Sequence, residues 1–549
     1  MFKIRIESKS DFIKNTTLAL LTAIFLSLSF PPFKTGFFAY FGLVPILIFV
    51  NRAKNYLELL RYTYLSMLIF HALTLFWIGG WTSKTDPFMM IGSVALIFVH
   101  PVFYWIPFLI FFFIKKHLGE KSALFSFSFS WNSIEYLRSI DETAFPWLTL
   151  GNTQSYYLPI TQITSIIGVY GLSFLIVVFN VLIYTAYKNF RYESFRFTLN
   201  KLSIIVIILV SLFIYGKVIL NDAIYDGKKL RVGVVQPDFD PWEKWEDEVN
   251  PQIDVYLQLS DSAVQKGAEF IVWPESALPV YLLSGNYPDE VRRIKDFCRE
   301  NDVAIVSGLP LVHFYYSKEQ AKIDSKVSRD SSYFYDTYNG VVLFLPDTDL
   351  IQEYGKMNLV PFAERAPYLR YLPFLGDWIK WSVGISNWSV WDSQTVFKYK
   401  MREGDTAKFS AVVCYESIFP SFNAEFVKLG AQFLVVVTND SWYGKLAGPY
   451  QHKQYAVFRA IENRRWIVRS ANGGISCVID PFGRTIYETN LFERTYFVED
   501  IYLNNDITYY VQYRDLFSYV SLIFSGMFFF LALIKKIGVR KNESHRSEE

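Results

Sequence analysis

The amino-acid sequence predicts a polytopic α-helical membrane domain joined to an α/β sandwich domain that carries the chemistry. Three observations predict it. Hydrophobic residues make up 52% and aromatic residues 19% of the 549 residues, and the mean hydropathy is positive, which is too apolar for an ordinary soluble enzyme. Long apolar runs crowd the first 220 residues and recur once near the end. Between them, from Leu230, short branched runs alternate with amphipathic ones, the texture of a sheet covered by helices. The division implied is 1–220 as membrane domain, 221–518 as soluble domain, and 519–549 as a last span with its tail.

A spanning helix needs roughly 20 apolar residues. The candidate spans are Thr17–Phe30, Phe37–Val50, Leu59–Ile78, Met89–Ile114, Ala123–Leu137, Ile163–Tyr187, Leu202–Leu220 and Val520–Ile534; the first, second and fifth are short or polar. No small-residue cleavage site follows the first apolar run and further spans come at once, so no cleaved signal is expected. Arg52 and Lys54, then Lys115, Lys116 and Lys121, then Lys188, Arg191, Arg196 and Lys201 follow the second, fourth and sixth spans, and Lys535, Lys536, Arg540 and Lys541 follow the last. The alternate loops hold little beyond Lys34 and Lys84. By the positive-inside rule both termini are cytoplasmic, and Asn221 to about Ser518 lies on the outer face of a bacterial cytoplasmic membrane. Glu135 and Arg138 near the fifth span read either as an i,i+3 ion pair at the interface or as functional charges. Phe145-Pro-Trp-Leu-Thr-Leu-Gly151 and Tyr170-Gly-Leu-Ser173 read as aromatic helix ends or as part of a lipid-binding mouth.

In the soluble part, Leu230–Val235 reads as a buried strand, Pro251–Lys266 as an amphipathic helix, Glu269–Trp273 as a strand, Val291–Glu300 as a helix and Val303–Ser307 as a strand. Val341–Leu345, Phe409–Val413 and Phe433–Val437 add strands, and His313–Ser332 reads as a polar insertion. The net charge of +2 and the lack of basic blocks interleaved with aromatics give no sign of nucleic-acid binding. Cys298, Cys414 and Cys477 are an odd set and imply no disulfide framework. Six scattered histidines and no Cys-x-x-Cys spacing imply no metal site, and no cofactor is expected.

Three motifs carry the chemistry: Val272-Trp-Pro-Glu-Ser276, Tyr354-Gly-Lys-Met-Asn-Leu-Val-Pro-Phe-Ala-Glu364 and Ser410-Ala-Val-Val-Cys-Tyr-Glu-Ser417. A thiol needs a base or a cation to become a nucleophile. Glu275 can take the proton, Lys356 can supply the cation and hold an oxyanion, and Glu364 and Glu416 are further carboxylates nearby. A lone cysteine after a strand is more often a small buried hydrophobe, Trp-Pro-Glu alone is a common strand end, and a lone lysine is usually solvated. Their co-occurrence in this order is what singles them out.

The order Glu…Lys…Cys, with Trp-Pro-Glu-Ser and Cys-Tyr-Glu-Ser, resembles the nitrilase (carbon–nitrogen hydrolase) superfamily. With seven spans before this domain and one after it, the whole chain resembles the apolipoprotein N-acyltransferases, a membrane-integrated branch. Thr438-Asn-Asp-Ser-Trp-Tyr-Gly444, Arg469-Ser-Ala-Asn-Gly-Gly474, Phe30-Pro-Pro32 and Tyr170-Gly-Leu-Ser173 match the same pattern. The resemblance implies a nitrilase-like αββα sandwich with Cys414 as nucleophile, Glu275 as general base and Lys356 as the cation that stabilises intermediates. It implies that Glu364 orients the lysine or the acceptor amine, that Tyr415, Glu416, Trp245 and Trp442 shape the pocket, and that Asn339 and Gln236 stand near it. Gly340 departs from the pattern, where a small hydroxyl residue is expected. The implied reaction is ping-pong: a phospholipid, with phosphatidylethanolamine the expected donor, acylates Cys414, and the α-amine of a diacylglyceryl apolipoprotein takes the acyl chain. The segment Asp377–Asp392, with Trp378, Trp381, Trp388 and Trp391, reads either as a gate dipping into the outer leaflet or as a packed loop. A membrane-tethered amidase and a non-catalytic lipoprotein scaffold are the alternatives. Seven upstream spans argue against the first, and the intact Glu275, Lys356 and Cys414 against the second.

Overall fold

A computed structural model of the protein describes residues 8–548 except 82–83, 193–194, 369–370 and 372–386. Among the described residues six helices are long and apolar enough to cross a membrane: Lys9–Ser29, Tyr56–Gly79, Pro87–Leu118, Thr164–Arg191, Phe195–Asn221 and Leu516–Val539. The chain is therefore a multi-pass membrane protein. Local chemistry sets several helix ends. The Asn55 side chain accepts the Glu58 N–H (2.9 Å) and starts Tyr56–Leu75. Lys115, Lys116 and His117 occupy the last turn of Trp105–Leu118, where the helix dipole favours cations.

Two of the expected spans take a different form. Phe37–Val50 falls in Gly36–Val50, an apolar stretch shorter than a full span. The fifth lies in the helix Glu120–Leu137, too polar to count as a span. Its Ser126, Ser128, Ser130, Asn132, Ser133 and Glu135 are buried because it packs against Trp105–Leu118, Thr164–Tyr192 and Leu516–Glu548 rather than facing lipid.

The soluble part is two sheets face to face with helices outside each. The first sheet has the order β13-β1-β2-β3-β5-β4, with β6 off β5. Its strands are β1 (Lys229–Gln236), β2 (Phe270–Val272), β3 (Ala304–Tyr315), β4 (Lys326–Val327), β5 (Phe334–Phe344), β6 (Gln352–Gly355) and β13 (Thr495–Tyr502). The second has the order β12-β11-β10-β9-β8-β7. It runs through β7 (Phe397–Lys400), β8 (Thr406–Val413), β9 (Phe433–Thr438), β10 (Ile467–Ala471), β11 (Cys477–Ile479) and β12 (Thr485–Glu488). The period of two decides which layer each side chain joins. Val232, Val234, Phe270, Val272, Ala304 and Val306 enter the core between the sheets. Val235, Ile271 and Ile305 face the outer helices Val249–Gln265 and Pro288–Asn301. Both faces are buried, which is why these strands read as unbroken apolar runs.

The other outer layer is Pro420–Lys428 and Ala447–Asn463. Tyr455 and Phe458 of the latter share a buried cluster with Trp77, Trp147 and Tyr170 of the membrane part. One layer thus serves as sandwich cover and membrane contact. The expected strand Val303–Ser307 continues to Tyr315 and pairs with β5 from Ile305↔Phe344 to Tyr315↔Phe334. The expected insertion His313–Ser332 therefore begins inside this hairpin, whose register sets Asn339 opposite Pro310.

Candidate active site

Four strand ends converge. Glu275 follows β2, Lys356 follows β6, Cys414 follows β8 and Asp440 follows β9. Of these strands β2, β8 and β9 run parallel to a neighbour, while β6 is antiparallel to β5, and ends of parallel strands are the usual place for chemistry in open α/β sheets. Two of these turns hold non-glycine residues in the left-handed region, Ser276 (φ 46°) and Cys414 (φ 49°). Such conformations cost on the order of 1–3 kcal/mol and persist where the surroundings impose them. Here the Ser417 hydroxyl donates to the Cys414 carbonyl (2.8 Å), and a short 3₁₀ turn, Cys414–Ile418, follows. Gly308 makes room for the Glu275 turn: a Cβ there would lie 2.6 Å from the Glu275 Cα.

Lys356 is the hub. Its fully buried ammonium donates to Glu364 Oε1 (2.8 Å) and lies 3.9 Å from Glu275 Oε1. Asn339 donates from one amide nitrogen to both carboxylates, 2.7 Å to Glu275 and 3.1 Å to Glu364. The Val360 N–H fixes the other oxygen of Glu364 (2.7 Å). Burial works against the charge of Lys356, but Glu364 and Glu275 prevail and hold its pKa above the usual lysine value. Burial, aided by Glu364, raises Glu275 against the pull of Lys356. Burial and the Glu275 carboxylate push the Cys414 thiol up, opposed by Lys356. The resting thiol is therefore protonated, and attack requires a base at the same moment. Passing the proton from Cys414 to Glu275 moves a negative charge within the site without creating one.

Glu416 is different. Its carboxylate, fully buried, accepts the N–H groups of Val413 (2.8 Å), Met357 (2.7 Å) and Asn358 (3.2 Å) and the Tyr354 hydroxyl (2.8 Å). It fastens the Cys414 turn to the Lys356 turn. The Tyr415 hydroxyl donates to the Ala144 carbonyl (2.7 Å), and its ring lies nearly parallel to Trp147 (centroids 6.5 Å, 10°), which makes it part of the contact with the membrane part.

The remaining residues singled out in the sequence lie further off. Gln236 spends its carboxamide on Ser476, Thr489, Asn490 and Glu493, a brace for the loops around β12, and none of these contacts involves Cys414, Glu275 or Lys356. Its fully buried amide is satisfied by these four partners. Trp442 packs edge-on against Trp242 (4.7 Å). Trp245 is half-buried with its indole N–H buried and unpartnered among the described residues. Gly340 is closely packed: a Cβ there would lie 2.4 Å from Leu311 Cδ1 and 2.9 Å from the Tyr354 carbonyl oxygen, so the hydroxyl residue expected by resemblance would need its neighbours to shift. Trp378 and Trp381 lie outside the described residues. Trp388 is buried with its backbone N–H on the Glu364 carbonyl (3.1 Å), and the Trp391 backbone N–H reaches the Lys356 carbonyl (3.3 Å), so this end of the segment packs on the site.

Two features escape a reading of the motifs. Buried Lys244 donates to the Ser276 carbonyl (2.7 Å), and burial pulls its pKa down to about 8. Behind Cys414, His452 Nε2 lies 2.8 Å from Ser417 Oγ, its Nδ1 lies 2.9 Å from Asp440 Oδ1, and Arg469 donates to Asp440 (2.6 Å). Burial would raise Asp440, but Arg469 and His452 hold it at about 2. Asp440 and Arg469 belong to two stretches quoted for the resemblance, and a buried Asp and Arg far apart in sequence are the signal that could have paired them.

A carbon–nitrogen hydrolase model matches residues 231–506. A model of the apolipoprotein N-acyltransferase N-terminal domain matches residues 22–182. The apolipoprotein N-acyltransferase of Chlorobaculum tepidum is 33% identical over 532 residues, covering 94% of this chain and 96% of that protein. The chain belongs to the apolipoprotein N-acyltransferase family. A second member, from Geobacter metallireducens, is 31% identical and covers 94% of this chain and 95% of its own. That of Pseudomonas aeruginosa strain UCBPP-PA14 is 28% identical over 442 residues, 78% of this chain and 77% of its own. This chain joins apolar helices and a nitrilase-type sandwich, and the two are in direct contact at Tyr415, Trp147 and Tyr455.

Proposed function

We propose that this protein transfers a fatty acyl chain from a phospholipid, with phosphatidylethanolamine as donor, to the N-terminal amine of diacylglyceryl-cysteine apolipoproteins. The single observation that carries the reading is Lys356 held between Glu364 (2.8 Å) and Glu275 (3.9 Å) at the strand end beside Cys414, in a sandwich docked on membrane helices. Glu275 removes the thiol proton as Cys414 attacks the ester carbonyl. Lys356 stabilises the oxyanion, and the proton returns to the leaving lysophospholipid. The thioester formed is activated toward amines, so the second half-reaction repeats the first with an amine as nucleophile. Glu364 and Asn339 hold the lysine and the base in place, and Glu416 sets the spacing of the two turns. Tyr415, Trp245 and Trp442 line the approach.

The membrane is a bacterial inner membrane with the sandwich on its periplasmic side, a reading supported by the positive residues between the spans. The working division is 1–220, 221–518 and 519–549. Mass spectrometry of protein incubated with phosphatidylethanolamine tests the reading, with Cys414→Ser as control. A fatty-acyl adduct on Cys414 that transfers to the amine of a diacylglyceryl peptide is the expected result. No adduct, or one lost equally fast to water, refutes it.

A further inference from the structure

We propose that Gln451 is a positioning residue that keeps the outer ends of the membrane segments in line with Cys414, so that the enzyme takes an ester presented by a bilayer; this rests on the acyl-transfer reading above. Gln451 lies on Ala447–Asn463, the helix shared by sandwich and membrane part, and is 1% exposed. Its Oε1 accepts the indole N–H of Trp147 (2.7 Å) and of Trp77 (3.1 Å). Its Nε2 donates to the carbonyls of Pro31 (3.0 Å) and Thr74 (3.3 Å). A carboxamide has two donors and two acceptor sites, and all of them are spent on membrane segments.

The next residue grips the nucleophile turn. His452 Nε2 lies 2.8 Å from Ser417 Oγ and 3.1 Å from the Cys414 carbonyl oxygen. Successive helix residues point about 100° apart, so one turn of helix holds the membrane segments on one side and Cys414 on another. Trp147 closes the loop. Its ring lies 5.6 Å from His452 and nearly parallel to Tyr415, and its carbonyl accepts the Tyr455 hydroxyl (2.9 Å). Phe30-Pro-Pro32 and Phe145-Pro-Trp147 thereby share one partner. Hydrogen bonds to that partner fix a register that apolar contacts alone would let slide, and a shift of about 1 Å at a reacting centre costs on the order of 10²-fold in rate.

The test separates a bilayer ester from a dissolved one. Full-length protein in phosphatidylethanolamine vesicles is followed by intact mass for acyl loading of Cys414. It is also treated with p-nitrophenyl acetate and with iodoacetamide. Gln451→Met keeps the length and removes all four hydrogen bonds. Loading from the bilayer is expected to fall roughly 10- to 100-fold, while acetylation and alkylation of Cys414 stay within about twofold of wild type. Trp77→Phe removes one donor and leaves Gln451 in place, so it should give the same pattern more weakly, and it carries the test where Gln451→Met does not fold. Unchanged bilayer loading overturns the proposal. So does an equal loss of all three reactions, which would make Gln451 a support of the fold alone. If wild-type Cys414 takes no acyl group from either ester, the acyl-transfer reading itself falls, and the proposal with it.

Discussion

Two buried carboxylate centres flank Cys414, and they are built differently. On one side Glu275 and Glu364 share a lysine and an amide, Lys356 and Asn339. On the other, Glu416 is enclosed by three backbone N–H groups and a tyrosine hydroxyl, with no cation in hydrogen-bond contact among the described residues. A carboxylate beside a cation can trade a proton with a neighbour while the local charge stays balanced. One ringed by backbone N–H groups is locked by the strands that carry them. The same residue type is thus bound to side chains in one place and mainly to the backbone in the other.

The comparison is sharpest at the base. Glu275→Gln should lower acyl-adduct formation on Cys414 by roughly 10²–10⁴-fold with little change in the thermal midpoint, read by mass spectrometry and by unfolding in detergent. If the midpoint collapses as well, the lysine centre is also a fastener. Glu416→Gln should do the reverse. It sets an amide NH2 donor, in place of a carboxylate oxygen, against fixed N–H donors, and leaving one of them unpaired costs about 1–3 kcal/mol, measurable as lost stability in denaturant. Unchanged stability with abolished loading would sink the division of roles.

Asn339→Ala removes one donor shared by Glu275 and Glu364. Loading should slow about tenfold, near the worth of one such bond, and a single-turnover rate checks it. The smallest effect is in pH. Burial pushes Glu416 up to about 7. The folded state therefore holds this proton more tightly than the unfolded chain does, and the stability it adds is present below the ordinary carboxylate range and fades as pH rises through about 7. The thermal midpoint of wild type should drop between pH 5 and 8 relative to Glu416→Gln, and parallel curves would refute the assignment.

Much of this was legible from local pattern. The strand Leu230–Val235 and the helix Pro251–Lys266 appear at Lys229–Gln236 and Val249–Gln265, since branched runs and helical amphipathicity are short-range signals. The polar helix Glu120–Leu137 was less legible, because a serine-rich stretch shows its place only when its neighbours cover it. The hydrogen bonds of Gln236 were not legible for a similar reason: its partners Ser476 and Thr489 lie more than 200 residues away.

By itself the sequence determined six of the membrane segments, the alternating strands and the family, because each is written in contiguous residues. Only the tertiary structure decided that Lys356 stands between Glu275 and Glu364, that Glu416 is held by backbone N–H groups of two turns, and that Gln451 and His452 contact Trp147 and Ser417. Those facts depend on which strand ends meet. A buried polar group takes its role from the partner that satisfies it, and that partner is chosen by the fold.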